Sequence, residues 1–430
     1  MDAAMDAVHR SIDAVWRIES ARLIAGLARF TGDVGLAEDL AQDALVAALA
    51  QWPRTGLPTN PGAWLTAVAR RRAIDQHRRA QNLERKVQDL GRALDADAAS
   101  GALRDADADD RIAIGDDQDA IGDDLLRLMF TCCHPLLSQE ARVALTLRLL
   151  GGLSTEEIAR AFLLPLPTVA QRLVRAKRVL AEARVPFDLP PAEELAARLG
   201  SVLEVVYLVF NEGYAATAGD DLLRPALCEE ALRLGRILAE LAPEEPEVHG
   251  LVALMELQAS RSRARVGPSG APVLLLDQNR AHWDQLLIRR GLAALEHAEA
   301  LGGSLGPYAL QAALAACHAR ARRPAETDWL RITALYDILA QLQPSPVVAL
   351  NRAVAVGMAF GPAAGLELVD ALSTEPSLAR YHLLPAVRGD LLARLGRHEE
   401  ARAAFERAAA LTGNAREREL LLGRAGGCGG

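Results

Sequence analysis

Apolar positions recur at spacings of three and four along nearly the whole chain, the period of helices with one buried face. In residues 11–30 the apolar set is Ile12, Val15, Trp16, Leu23, Leu27 and Phe30, and Thr31-Gly32-Asp33 closes that helix and caps the next. Leu36 to Trp52 repeats the pattern, with Leu36, Leu40, Leu45, Leu49 and Trp52 inward and Glu38, Asp39, Gln42 and Asp43 on an exposed acidic face. Pro53 to Pro61, PRTGLPTNP, is too rich in proline and turn formers for a helix and predicts a loop. The period resumes from Gly62 to Arg79, with Trp64, Leu65, Val68 and Ile74 inward. Arg70, Arg71, Arg72, His77, Arg78 and Arg79 are its cationic and polar complement. Leu125 to Phe130 and Ser138 to Leu150 read as two further helices.

The most informative stretch is Leu153 to Arg184. Ser154 followed by Glu157 forms a capping box that opens a helix with Ile158, Ala159 and Phe162 inward. After a proline break, Pro167 stands at a helix start, where a missing N–H costs nothing. Val169, Leu173, Ala176 and Leu180 form the inner stripe of the second helix, and Gln171, Arg172, Arg175 and Arg178 lie opposite. Two short helices, a tight turn and a basic outer face on the second predict a helix-turn-helix, with the second helix as the reader.

Composition strengthens the helical reading and complicates the charge. Aromatics make up 4% of the chain and β-branched residues are few, which favours an all-α protein. A net charge of −8 argues against nucleic acid until its distribution is read. Trp64 to Lys86 holds seven Arg and Lys against Asp75 and Glu84, whereas Val87 to Asp124 holds twelve Asp against three Arg. The five cysteines show no CxxC spacing, and the adjacent Cys132-Cys133-His134 suits buried thiols better than a zinc site, so no metal is expected. The N-terminus lacks a signal peptide's apolar segment, and no apolar run is long enough to span a membrane. A cytoplasmic setting with reduced thiols is the expectation.

Asp33…Ala37-Glu38-Asp39-Leu40…Gln42-Asp43-Ala44, followed by Trp64-Leu65…Ala69-Arg70…Ala73-Ile74-Asp75…Arg78-Arg79, resembles the promoter-melting domain of an extracytoplasmic-function (ECF) sigma factor of the sigma-70 family. The helix-turn-helix sits where such a factor carries its second DNA-binding domain. The resemblance implies region 2 over residues 1–88, for core polymerase and the −10 element. It implies a region 4 helix-turn-helix without a wing over 124–185, for the −35 element. Glu38, Asp39, Gln42 and Asp43 would dock on the clamp helices of the largest polymerase subunit, region 4 on the flap. Arg70, Arg72, His77, Arg78 and Arg79 would hold phosphates. Pro167, Thr168, Gln171, Arg172 and Arg175 would reach base edges, and Lys177 and Arg178 phosphates. The acidic linker, 89–123, is too charged to bury a core and is expected to be disordered, with a coil reach of roughly 35 Å.

The chain continues past this minimal factor. Pro186 to Pro191 is a hinge, and apolar periods then run at Glu193–Phe210, Leu222–Leu241, Glu247–Arg261, Gln278–Leu301, Tyr308–Ala321, Trp329–Gln341, Val347–Phe360, Ala363–Leu372, Ala379–Leu395 and Glu399–Leu411. Helix pairs at this spacing predict a solenoid of helical hairpins. Leu391 to Ala408 resembles a tetratricopeptide repeat (TPR), with small Gly396, Ala401 and Ala408 where helices cross. We therefore expect a helical extension over 186–340 and TPR-like repeats over 341–430. Sigma factors with a long repeat-bearing extension form a recognised group, in which the extension is thought to govern activity. Asn211, Glu212, Tyr214, Asp277, Arg280, Trp283 and Asp284 are candidates for a buried polar network, for the lining of a small-ligand pocket, or for helix caps and bonds between helices. The partners expected are core RNA polymerase, promoter DNA, and a small ligand or protein on the extension, with no cofactor and no catalytic residues. The rival readings are a helical-repeat DNA-binding regulator that works without polymerase, and a hydrolase using Glu212 and Asp284 as paired carboxylates.

Overall fold

The computed structural model of the protein describes residues 2–94, 118–215, 223–267, 271–302 and 305–428. Among them the fold is all-α, with a single isolated bridge between Val266 and Pro272 and no strand. The chain forms two compact units, Met1–Arg160 with Leu164–Val202, and Ala161–Leu163 with Leu203–Gly430.

The first unit holds α1 (Asp2–Thr31), α2 (Val34–Thr55), α3 (Pro61–Leu94), α4 (Gln118–Cys132), α5 (Gln139–Leu149), α6 (Thr155–Ala161), α7 (Leu166–Glu182) and the start of α8 (Ala192–Tyr214). Asp33 caps α2 as its sequence position predicts, accepting from the amides of Gly35 at 2.7 Å and Leu36 at 3.0 Å. The buried stripe of α2 is Ala37, Leu40, Ala41, Ala44, Ala48 and Trp52. The leucine-weighted expectation was therefore only partly right, since Leu49 and, on α1, Phe30 are exposed. Small alanines let α1 and α2 approach closely, so the larger residues at the flanks of the stripe fall outside the contact.

The expected loop 53–61 begins later than its composition suggests. Helix α2 runs through Pro53 to Thr55, and the Gly56 amide donates to the Trp52 carbonyl at 2.9 Å. A proline in the last turn forfeits one bond near the frayed end, where the penalty is small. Trp64 stands edge-on to the buried Trp52 with ring centroids 5.2 Å apart, the core-packing role its spacing predicts. At the ends of the expected acidic linker, residues 89–94 complete α3 and 118–123 open α4. Residues 95–117, the bulk of that linker, lie outside the described residues.

The second unit continues α8 and adds α9 (Pro225–Leu241), α10 (Pro246–Ala259), α11 (Gln285–Ala300), α12 (Pro307–Arg320), α13 (Trp329–Leu342), α14 (Pro346–Ala359), α15 (Pro362–Ala371), α16 (Leu383–Arg394), α17 (His398–Leu411) and α18 (Ala415–Gly427). From α12 to α18 each helix packs on the next in sequence, as in stacked hairpins, whereas α10 packs on α9, α11 and α12. Gly396 has φ 75° in the turn after α16, and its amide and that of Arg397 bond back to the Ala393 and Leu392 carbonyls. It serves a left-handed helix stop and not the crossing expected of it. The close crossing is made by Gly389, where an added Cβ would lie 2.8 Å from the Phe405 ring. Glu256, 1% exposed on α10, is held by Arg236 of α9 at 2.9 Å and Arg290 of α11 at 3.2 Å, one carboxylate tying three helices together.

His318 near the end of α12 gives this unit an acid-sensitive point. Its ring lies edge-on to Trp329, and burial, helped by Arg261 and Arg280, pushes the imidazole from the ordinary 6.5 down to about 4. Between those values the unfolded chain takes up a proton that the folded one refuses. The stabilisation is therefore complete above pH 6.5 and is lost as pH falls towards 4, by roughly 3 kcal/mol in all. Denaturant midpoints measured from pH 7 to 4.5 should fall less steeply in His318→Gln than in the wild type; parallel slopes would remove His318 as the cause.

Candidate nucleic-acid interface

Helices α6 and α7 form the helix-turn-helix. The Ser154 amide donates to Glu157 Oε2 at 2.8 Å and the Glu157 amide to Ser154 Oγ at 3.1 Å, both halves of the capping box. The turn passes through Leu163 at φ 51°, and α7 opens with Pro167 at its second position. Val169, Leu173, Ala176 and Leu180 are all buried, the stripe that the period predicts. Burying that stripe leaves Pro167, Thr168, Gln171, Arg175 and Arg178 exposed, with Arg172 half-buried beside them. A preformed helix end bearing a proline, a hydroxyl, an amide and guanidiniums has the chemistry to meet base edges and phosphates.

Helix α3 carries the other cationic group. Arg78 and Arg79 are exposed, Arg70 is half-buried, and Arg72 Nη1 pairs with Asp43 at 2.8 Å. Both partners of that pair face water, which limits its worth to about 1 kcal/mol and leaves Arg72 available to a phosphate. His77 lies within α3, and its side chain is outside the described residues.

The acidic set of α2 is divided. Asp39 and Asp43 are exposed and Gln42 is half-buried, but Glu38 is only 4% exposed, against the expectation of an open face. Its Oε1 accepts from Arg148 Nε of α5 at 2.6 Å and from Gln42 Nε2 at 2.6 Å. Its Oε2 accepts from Lys177 Nζ of α7 at 2.9 Å. Lys177, expected on phosphate, is thus committed to the α2 carboxylate, and it also stands 3.9 Å from Asp39. Arg148 was not anticipated, since it sits at helical spacing among apolar neighbours and its partner is 110 residues away. A second link runs from Arg17 of α1 to Glu157 of α6 at 2.8 Å. Withdrawing a carboxylate from water is costly unless its oxygens are satisfied, and here two cations and an amide do so.

Cys132 and Cys133 are buried thiols, Cys133 lying 3.6 Å from Thr146 Oγ1. Burial first, then the neighbouring Cys133 and Glu38, raise the Cys132 thiol well above its ordinary value, which suits an inert core residue.

The polar residues singled out in the extension separate into distinct tasks. Glu212 pairs with Arg224. Asp284 caps α11, accepting from the Leu286 and Leu287 amides at 2.9 and 3.1 Å. Arg280 closes the C-terminal end of α12, donating to the His318 carbonyl at 2.8 Å, to the Ala321 carbonyl, and to Thr327 Oγ1 at 3.0 Å. The buried Trp283 takes Arg261 and Arg280 against its ring, and Tyr214 takes Arg261 and Arg265. Asn211 lies beside the Tyr207 hydroxyl, which donates to Gln311 Oε1 at 3.1 Å, and Asp277 is exposed. Glu212 and Asp284 are thus each occupied by a structural partner. The residue that joins the aromatic parts of the set is Arg261, passed over in the sequence because it ends an apolar run.

Residues 18–83 match sigma-70 region 2, residues 127–180 match sigma-70 region 4, and residues 198–299 match a family of unknown function, DUF6596. An uncharacterized protein of Rhizobium meliloti (strain 1021) is 45% identical over 394 residues, covering 92% of this chain and 90% of the relative. A probable ECF RNA polymerase sigma factor SigI of Mycobacterium tuberculosis, the same in strains CDC 1551 / Oshkosh and H37Rv, is 29% identical over 185 residues. That match covers 43% of this chain and 59% of the relative. No solved structure matches.

Proposed function

We infer that this chain, which belongs to the ECF sigma factors of the sigma-70 family and carries a C-terminal helical extension, binds core RNA polymerase and directs it to two-element promoters under the control of that extension. The observation that carries the reading is α7 itself: a buried stripe pins one face, and the opposite face offers Thr168, Gln171, Arg172 and Arg175 to a major groove. Arg70, Arg72, Arg78 and Arg79 of α3 supply phosphate contacts at the −10 element, with affinity that falls as salt rises. Asp39, Gln42 and Asp43 meet the clamp helices of the largest polymerase subunit, region 4 meets the flap, and Glu38 joins the clamp contact when released from Arg148 and Lys177.

The pairing of Glu38 gives the resting protein a closed form in which region 4 shields part of the polymerase-binding face of region 2. Two promoter elements more than a helical turn apart cannot be read until the modules separate, so opening precedes promoter binding. The extension sets the balance between closed and open forms, through a small ligand or a protein bound to it.

Run-off transcription with core polymerase tests the reading, comparing the full-length protein with a version ending at Arg184, just after α7. Both should co-purify with core polymerase and initiate at the same promoter, with rates differing at least several-fold in one direction. Equal rates would remove the extension from control, and failure of the full-length chain to bind core polymerase would remove the sigma-factor reading.

A further inference from the structure

Within the second unit, a cavity of about 680 Å³ lies among the loop 272–278, the turn after α10, and helices α14, α16 and α18. Val354, Met358, Leu383, Val387, Leu391 and Leu421 supply much of its apolar wall. Its size is that of a small-ligand site. Its charges are unusual for an apolar chamber, because Arg261 and Arg265 stand at its wall with no carboxylate in direct contact, Glu417 acting on Arg265 only from a distance.

Arg265 lies 3.8 Å above the Tyr214 ring and donates to the Tyr214 carbonyl. Arg261 donates to the Tyr214 hydroxyl at 2.7 Å and to Gln258. Arg394, exposed at the rim, meets the Met358 thioether at 3.1 Å, a weak acceptor. Among the described residues none of the three forms an ion pair. The acids that line the cavity are spoken for or open to water. Glu417 is held by His382 Nε2 at 3.2 Å and by the Thr412 hydroxyl at 2.8 Å, Asp390 by Arg424, and Asp277 is exposed. A guanidinium drawn out of water with only a distant counter-charge, here Glu417 for Arg265, is costly, and its remaining N–H donors match a carboxylate in fork geometry. Burial accordingly lowers the Arg265 pKa from its ordinary value.

We propose that this cavity binds a small organic anion with an apolar body, the carboxylate held by Arg265 and Arg261 and the body by the wall of α14, α16 and α18. A medium-chain carboxylate is the simplest molecule of this class. Its consequence for transcription rests on the reading of the extension as the regulatory half, but binding itself does not.

Calorimetric titration of the full-length protein with sodium octanoate, without polymerase, tests the site. Saturable one-to-one binding is expected, at least tenfold weaker for 1-octanol, at least tenfold weaker in Arg265→Gln, and lost in Val387→Trp, which fills the chamber and leaves its charge alone. Should Arg265→Gln fail to fold by circular dichroism, Arg261→Gln carries the same expectation. Absence of saturable octanoate binding, equal binding of octanol, or unchanged affinity in Val387→Trp would overturn the proposal. Run-off transcription with and without octanoate then tests the regulatory reading separately. Binding without any change in transcription would sink that reading and leave the cavity assignment standing.

Discussion

Replacing Glu38 with glutamine is expected to lower the stability of the first unit by about 2 kcal/mol and to loosen region 4 from region 2. The change keeps shape and removes one charge, so Arg148 and Lys177, with side chains 18% and 22% exposed, are left with only the exposed Asp39, 3.9 Å from Lys177, as a nearby carboxylate. Breaking a fully buried pair costs about 3–5 kcal/mol, and partial access of water to both cations reduces that figure. In calorimetry of the full-length chain the transition of this unit should fall by roughly 4–8 °C. The swap Glu38→Lys with Lys177→Glu should recover part of the loss. Glu38→Gln alone confounds opening with loss of the proposed polymerase contact, so Arg148→Gln separates them. It removes one of the two region 4 cations that hold Glu38, leaves Lys177 in place as the other, and leaves Glu38 intact. A loss of about 1.4 kcal/mol from the closed form should raise apparent affinity for core polymerase roughly tenfold wherever the closed form predominates. If Arg148→Gln leaves that affinity unchanged, the closed arrangement does not gate the protein.

The helix-turn-helix was legible because every signal for it is local: a capping box, a proline at a helix start, and an inner stripe at spacings of three and four. The same locality explains the misreadings. Alanines score weakly as core, so the α2 stripe was assigned to leucines, and Leu49 turned out exposed. A proline one turn before a helix end looks like a breaker, yet α2 absorbs Pro53. Helix α18 escaped notice because its start, Arg416-Glu417-Arg418-Glu419, reads as solvated charge, although Asn414 caps it with bonds to the Arg416 and Glu417 amides at 3.0 and 3.2 Å. The burial of Glu38 was beyond reach for a different reason. Its polar face on α2 is genuine, and what covers it comes from residues 110 and 139 positions away. No spacing rule carries that information, so a sequence can place a carboxylate on a polar helix face without saying that the same chain already holds it.

Arg172→Ala should cost about 1–3 kcal/mol at one base-pair position of the −35 element and little at the others. Arg172 follows Gln171 one turn into α7, on a helix whose buried stripe fixes its rotation, so its guanidinium can address only a narrow arc of the groove. Arg178 lies further along the same helix, exposed and 3.5 Å from Glu182. Its loss should weaken binding about equally on every sequence and reduce the salt dependence by about one phosphate contact. The two variants are therefore compared as full-length protein with core polymerase, on a promoter and on single base-pair variants of its −35 element, at two salt concentrations. Arg172→Ala should flatten discrimination at one position and leave the salt slope nearly unchanged, and Arg178→Ala should do the reverse. If Arg172→Ala weakens every promoter variant alike, the base-reading role passes to Gln171 and Arg175, the exposed neighbours on the same face.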